Sequence, residues 1–144
     1  PPRGPIATYE ELWAAARPAN ELTLRFLSPT AFRHKGLDIL QPEPRLAFGR
    51  LLRRWETFAP TVALPLDETS LAARVHLMDA RLTVRPVELG ARRQPGFVGW
   101  ARYRLDGDAA FQTAVAALAD YAAYAGVGAR TALGMGHARR DCRR

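Results

Sequence analysis

The spacing of apolar and polar residues changes several times along the chain, and each change marks an element. Over residues 22–28, Leu22, Leu24 and Phe26 alternate with Thr23 and Arg25. A period of two belongs to a strand with one buried face. Pro29, Gly36, Pro42 and Pro44 then interrupt any regular pattern, which predicts an irregular connection. From Arg45 the period lengthens: Phe48, Leu51, Leu52, Trp55 and Phe58 recur at helical spacing, while Arg50, Arg53, Arg54 and Glu56 take the opposite face. Pro60 ends this helix.

Residues 74–87 read as a long strand in which Val75 and Leu77 alternate with His76 and Met78. Asp79 and Arg81 disturb its apolar face, which predicts a bulge or bend there. Residues 94–105 form a third strand with Phe97, Ala101, Tyr103 and Leu105 on one side and Val98, Trp100, Arg102 and Arg104 on the other. Asp108 is placed to cap a second helix that turns Phe111, Val115, Leu118, Ala122 and Ala125 inward, and Gly126 to close it. A short strand near 137–141 completes the order βαββαβ. That order predicts an α+β fold of the ferredoxin-like kind, an antiparallel sheet packed on two helices, with a glycine-rich loop before the last strand. One sheet face would stay open to a ligand. Residues 22–144 are assigned to this domain, and residues 1–21 to an extension or linker from a preceding domain. Trp55, Trp100 and Met135 are read as core.

Charge sharpens the picture. The 144 residues hold 21 Lys+Arg against 14 Asp+Glu, a net +7, and Lys35 is the only lysine. A polyanionic partner is the first expectation, and an arginine-rich composition without function is its rival. Cys142 is the only cysteine, so neither a disulfide framework nor a cysteine metal site is available, and a cytoplasmic setting is expected. No apolar run approaches the length of a membrane span, so no membrane association is expected.

The most specific segment is residues 126–136, with glycine at 126, 128, 134 and 136. Glycine permits positive φ and close backbone approach, and successive amides in such a turn can cradle phosphate oxygens. Arg130 and Thr131 place a cation and a hydroxyl at its centre. A Rossmann or Walker loop follows a strand and opens a helix, whereas a helix precedes this one. A plain connector between helix and strand is the alternative.

The spacing Gly-x-Gly, five residues, Gly-hydrophobic-Gly before a terminal strand resembles the C-terminal signature of the CRISPR precursor-RNA processing endoribonucleases of the RAMP superfamily. Residues 27–36 are similar to that family's loop after the first strand of its second domain, and 45–60 to the helix that follows. Residues 97–101 resemble its third strand, and 121–139 its last helix with the loop. The likeness runs over about residues 22–140. It implies the second of two tandem ferredoxin-like domains and CRISPR repeat RNA as partner, with effector-complex proteins as further partners. The implied reaction is metal-independent, by attack of a ribose 2′-hydroxyl on the adjacent phosphate, with no cofactor. It also implies that Gly126, Gly128, Gly134 and Gly136 shape an RNA-holding loop containing Arg130 and Thr131, with residues 28–36 as a further contact surface.

Such chemistry needs proton transfer and stabilisation of a phosphorane. The family's usual catalytic histidine lies in the first domain and has no counterpart here. Among the three histidines, His34 is the catalytic candidate, because Arg33 and Lys35 flank it beside Gly36. His76 reads as an ordinary strand residue. The expected RNA contacts are Arg33, Lys35, Arg102, Arg104, Arg130, Thr131, His137 and Arg139 with the loop glycines. Two other readings stay open: a non-catalytic RAMP-type subunit holding guide RNA in an effector complex, and a ferredoxin-like protein-interaction module.

Overall fold

The computed structural model describes residues 8–141. The chain begins with α1 (Tyr9–Ala15), β1 (Glu21–Thr30), the short strands β2 (Phe32–His34) and β3 (Leu37–Ile39), and α2 (Pro44–Phe58). There follow α3 (Glu68–Arg74), β4 (Val75–Val84), β5 (Val87–Leu89), β6 (Arg92–Gln94) and β7 (Phe97–Leu105). The chain then forms α4 (Ala109–Ala125), a single 3-10 turn (Thr131–Leu133) and β8 (Ala138–Asp141). The four-stranded sheet has the order β4-β7-β1-β8, and all of its pairs are antiparallel. This is the ferredoxin-like arrangement, with the first and third principal strands at the centre and the second and fourth at the edges.

Alternation decides which face of the sheet is covered. Leu22, Leu24 and Phe26 of β1 and Phe97, Ala101, Tyr103 and Leu105 of β7 are buried beneath the helices. Phe48 of α2 meets the Tyr103 ring edge-on, with centroids 4.9 Å apart. The Tyr103 hydroxyl donates to the Pro42 carbonyl at 2.6 Å, and burial pushes its phenol above the ordinary tyrosine range, so it remains a donor. Trp55 is fully buried and donates through Nε1 to the Val62 carbonyl at 2.7 Å, while Tyr9 and Tyr121 pack on its ring at 5.0 and 5.2 Å. The Tyr9 and Tyr121 hydroxyls are 2.9 Å apart, joining α1 to α4. Residues from Tyr9 onward therefore pack on the domain.

Several local features depart from the sequence expectations. The connection after β1 holds the β2–β3 hairpin, turned by Lys35 (φ 51°) and Gly36 (φ 78°), the positive backbone angles a two-residue hairpin requires. Its prolines flank the hairpin and so do not break its ladder. Helix α3 was not expected, having only Leu71 buried, but Asp67 and Ser70 form a reciprocal cap that starts it. The outer ends of the two long strands separate from the main sheet and pair as the β5–β6 hairpin, which takes Val87 and Gln94 with it. The register shift predicted near Asp79 is present between Leu77 and Asp79. Trp100 is only partly buried, because its parity turns it to the face without helices, whereas Met135 is buried. Cys142 lies outside the described residues. No helix among the described residues is long and apolar enough to cross a membrane.

Candidate nucleic-acid interface

The glycine loop is fastened along the end of β1. The Gly136 amide donates to the Pro29 carbonyl at 3.0 Å, and the Ala129 amide to the Ala31 carbonyl at 2.8 Å. The His137 amide donates to Ser28 Oγ at 2.8 Å, and the His137 carbonyl accepts from the Leu27 amide at 2.7 Å. The loop and residues 28–36, distant in sequence, thus form one surface. Across the loop, the Val127 amide donates to the Gly136 carbonyl at 2.8 Å.

The glycines differ in what they do. A Cβ on Gly136 (φ +75°) would lie 2.0 Å from the Val127 carbonyl oxygen, and one on Gly128 would lie 2.4 Å from that of Ala31. Gly126 ends α4 with its amide on the Ala122 carbonyl at 2.9 Å, and a Cβ there would meet the Thr131 methyl at 2.8 Å. Gly134 (φ +87°) is exposed, and a Cβ there would meet nothing within 4 Å. The Gly134 amide donates to the Thr131 carbonyl at 3.2 Å and that of Gly136 to Pro29, so both are engaged within the chain. Close packing of the loop on itself and on β1 accounts for both of these amides, so phosphate contacts expected of the loop fall to its other groups.

Arg130 extends the surface to a third segment. It has a left-handed backbone (φ 58°), and its Nε donates to Oε1 of Gln94 at 2.9 Å. Gln94 is 2% exposed and donates through Nε2 to the Pro95 carbonyl at 3.1 Å. The β5–β6 hairpin is tied in this way to the glycine loop. On the β2–β3 hairpin, Arg33 pairs with Asp38 at 3.1 Å, Lys35 is exposed at the tip and His34 is partly buried. His137 is exposed.

The sheet face away from the helices carries the remaining predicted contacts. Register places Arg81 opposite Trp100, Trp100 opposite Arg25, and Arg25 opposite Arg139, a row across all four strands. The adjacent row runs Asp79, Arg102, Thr23 and Asp141. Carboxylates offset part of this charge: Arg102 lies 3.3 Å from Glu21 and 3.9 Å from Asp79, and Arg25 2.9 Å from Asp141. Arg104 is exposed beside His76 in the ladder, and His76 lies 3.9 Å from Asp106. The Arg139 Nε is buried without a hydrogen-bond partner among the described residues. Sequence reasoning included Ser28 in the 28–36 contact surface but missed Gln94, whose role exists only through a contact across the fold, and it placed Trp100 in the core. The strand alternation around Trp100 was the available signal.

The chain is similar to known proteins over most of its length. The family described as CRISPR-associated endoribonuclease Cas6 matches residues 24–138. A CRISPR-associated endoribonuclease Cas6 of Mycobacterium tuberculosis (strain H37Rv) is 28% identical over 138 residues, covering 93% of this chain and 43% of that protein. One from Streptococcus thermophilus is 26% identical over 113 residues, covering 77% and 46%. A Cas6 substrate-mimic complex superposes with a TM-score of 0.82 at 38% identity, over 94% of this chain and 58% of that one. Thermus thermophilus Cas6 gives 0.80 at 32% identity, over 94% and 58%. The chain therefore spans about half the length of the relatives it matches. The glycine spacing, the strand order and these matches place the chain in the CRISPR-associated endoribonuclease Cas6 family.

Proposed function

We propose that this chain is the RNA-holding domain of an endoribonuclease that processes CRISPR precursor RNA. The observation that carries the reading is the fastening of residues 28–36, the β5–β6 hairpin and the glycine loop into one surface at the end of the sheet. Beside it lies the open sheet face with Arg25, Arg81, Trp100 and Arg139. Arginine neutralises phosphate, and an aromatic face accepts an unpaired base. Family membership, together with the related Cas6 structures solved as substrate-mimic and product complexes, supports repeat RNA as the ligand. The greater length of the relatives supports reading residues 22–144, with α1 packed on them, as one domain of a larger enzyme, into which the chain leads from a preceding domain. In that enzyme the 2′-hydroxyl gives up its proton and attacks the neighbouring phosphate, the P–O5′ bond breaks, the 5′-oxygen leaves as a protonated hydroxyl and a 2′,3′-cyclic phosphate remains; this domain positions the strand. Effector-complex proteins are its further partners.

The test is a titration of the chain against CRISPR repeat RNA at increasing salt. Each phosphate contact adds about 0.7 to the log-log slope for a single strand. A flat salt response contradicts an arginine-phosphate interface and favours a protein-interaction module. Cleavage by the chain alone is expected to be slow or absent, since the family's usual histidine belongs to the other domain. Rapid cleavage in EDTA that His34→Ala abolishes would move catalysis into this domain.

A further inference from the structure

A second basic surface lies on the helix side of the domain. Arg50, Arg53 and Arg54 follow the helical spacing that brings side chains onto one face of α2. They line a cavity of about 290 Å³ whose far wall includes the backbone of Gly126 and Gly128. Like charges at this spacing repel, and both burial and the neighbouring Arg53 lower the Arg50 pKa from its ordinary value. Each of the three arginines makes a local bond. Arg50 donates to the Arg33 carbonyl, Arg54 to the Ala125 carbonyl at 2.6 Å, and Arg53 pairs with Glu68 at 2.7 Å. Each bond uses one nitrogen of a guanidinium that carries several donors. Glu68 is the only carboxylate in this set of contacts, so the cavity keeps an excess of positive charge.

Arg54 and Phe58 also border a second cavity of about 300 Å³, lined further by Tyr9, Leu12, Tyr121 and Tyr124. Phe58 is 68% exposed and Tyr124 37%, so both rings keep area open to a ligand. One cavity is cationic and the other aromatic, and the two share a wall. Phosphate and base are joined in a nucleotide in the same way.

We propose that the two adjoining cavities form a bipartite site for one nucleotide of single-stranded RNA, with the phosphate on Arg50, Arg53 and Arg54 and the base against Phe58 and Tyr124. The proposal rests on the RNA-holding reading and adds a contact on the face opposite the open sheet. A strand bound there would continue past the glycine loop onto α2.

The experiment measures binding of a single-stranded oligouridylate by the chain at several salt concentrations, with the melting temperature of each variant as the control for folding. Arg53→Gln is expected to weaken binding about fivefold and reduce the log-log salt slope by about 0.7. Phe58→Ala and Tyr124→Ala are expected to weaken it about fivefold with the slope unchanged, as lost stacking does. Glu68→Gln removes the competing carboxylate and is expected to tighten binding about twofold. Unchanged affinity in Arg53→Gln and Phe58→Ala, with the parent chain binding normally, overturns this site and leaves the RNA-holding reading intact. Failure of the parent chain to bind overturns both. If inorganic phosphate raises the melting temperature of the parent but not of Arg53→Gln, while both bind RNA equally, the site serves free phosphate and the proposal falls.

Discussion

Arg130 donates through Nε to the buried side-chain oxygen of Gln94 at 2.9 Å, and so joins the glycine loop to the β5–β6 hairpin. The same arginine sits where a phosphate-binding cation is expected, so its loss has two effects. Truncation leaves the Gln94 oxygen without this donor in a place water scarcely reaches, a cost of about 1–3 kcal/mol. Arg130→Ala is expected to lower the melting temperature measurably and to weaken RNA binding. Arg130→Lys keeps the charge but not the planar fork, and is expected to restore the salt slope better than the stability. An Arg130→Ala chain with an unchanged melting temperature would show that the contact does not contribute to stability.

Gly134 and Gly136 separate shape from contact. At Gly136 an added methyl meets the Val127 carbonyl at 2.0 Å with a positive φ, so Gly136→Ala is expected to destabilise by at least about 2 kcal/mol. At Gly134 the space is open and only the left-handed angle resists, so Gly134→Ala is expected to cost about 1 kcal/mol. Urea unfolding of the two variants checks the ranking. RNA affinity measured on folded Gly134→Ala then reports on the loop surface itself, and an affinity equal to the parent's would make that surface a connector.

Trp100 is partly exposed between Arg25 and Arg81 in the cross-strand register. If it stacks on a base, Trp100→Ala is expected to weaken single-stranded RNA binding by about 1–2 kcal/mol with a salt slope like the parent's. Trp100→Phe is expected to retain most of the affinity. Equal losses in both variants would argue for packing rather than stacking.

Asp120 on α4 lies 3.6 Å from Arg140, and burial raises its carboxyl above the ordinary aspartate range despite the opposing pull of that arginine. A raised folded-state pKa means that the carboxyl favours the fold fully below its unfolded value, and that this contribution is lost as pH rises through the folded value. Asp120→Asn is therefore expected to remove one stability decrease in the pH range just above normal aspartate titration. Melting temperatures of parent and variant followed across that range check the sign: their difference should shift in the variant's favour as pH rises.

Much of this protein is determined by local pattern. Alternation in 22–26 and 97–105 was enough to find the two central strands, and the spacing of Phe48, Leu51, Leu52 and Trp55 to find α2, because a sheet or helix with one buried face must repeat at its own period. Asp108 and Gly126 marked the ends of α4 through chemistry that acts within one turn. The glycine spacing marked the loop and its family. The tertiary structure decided the rest. Whether a loop amide meets an external phosphate or the Pro29 carbonyl depends on which backbone lies beside it, and no local pattern encodes that neighbour. Trp100 looks like core by composition and lies on the open face by sheet parity. The pairing of Arg130 with Gln94 and the gathering of three α2 arginines beside Gly126 join residues far apart in sequence, so they exist only once the chain has folded.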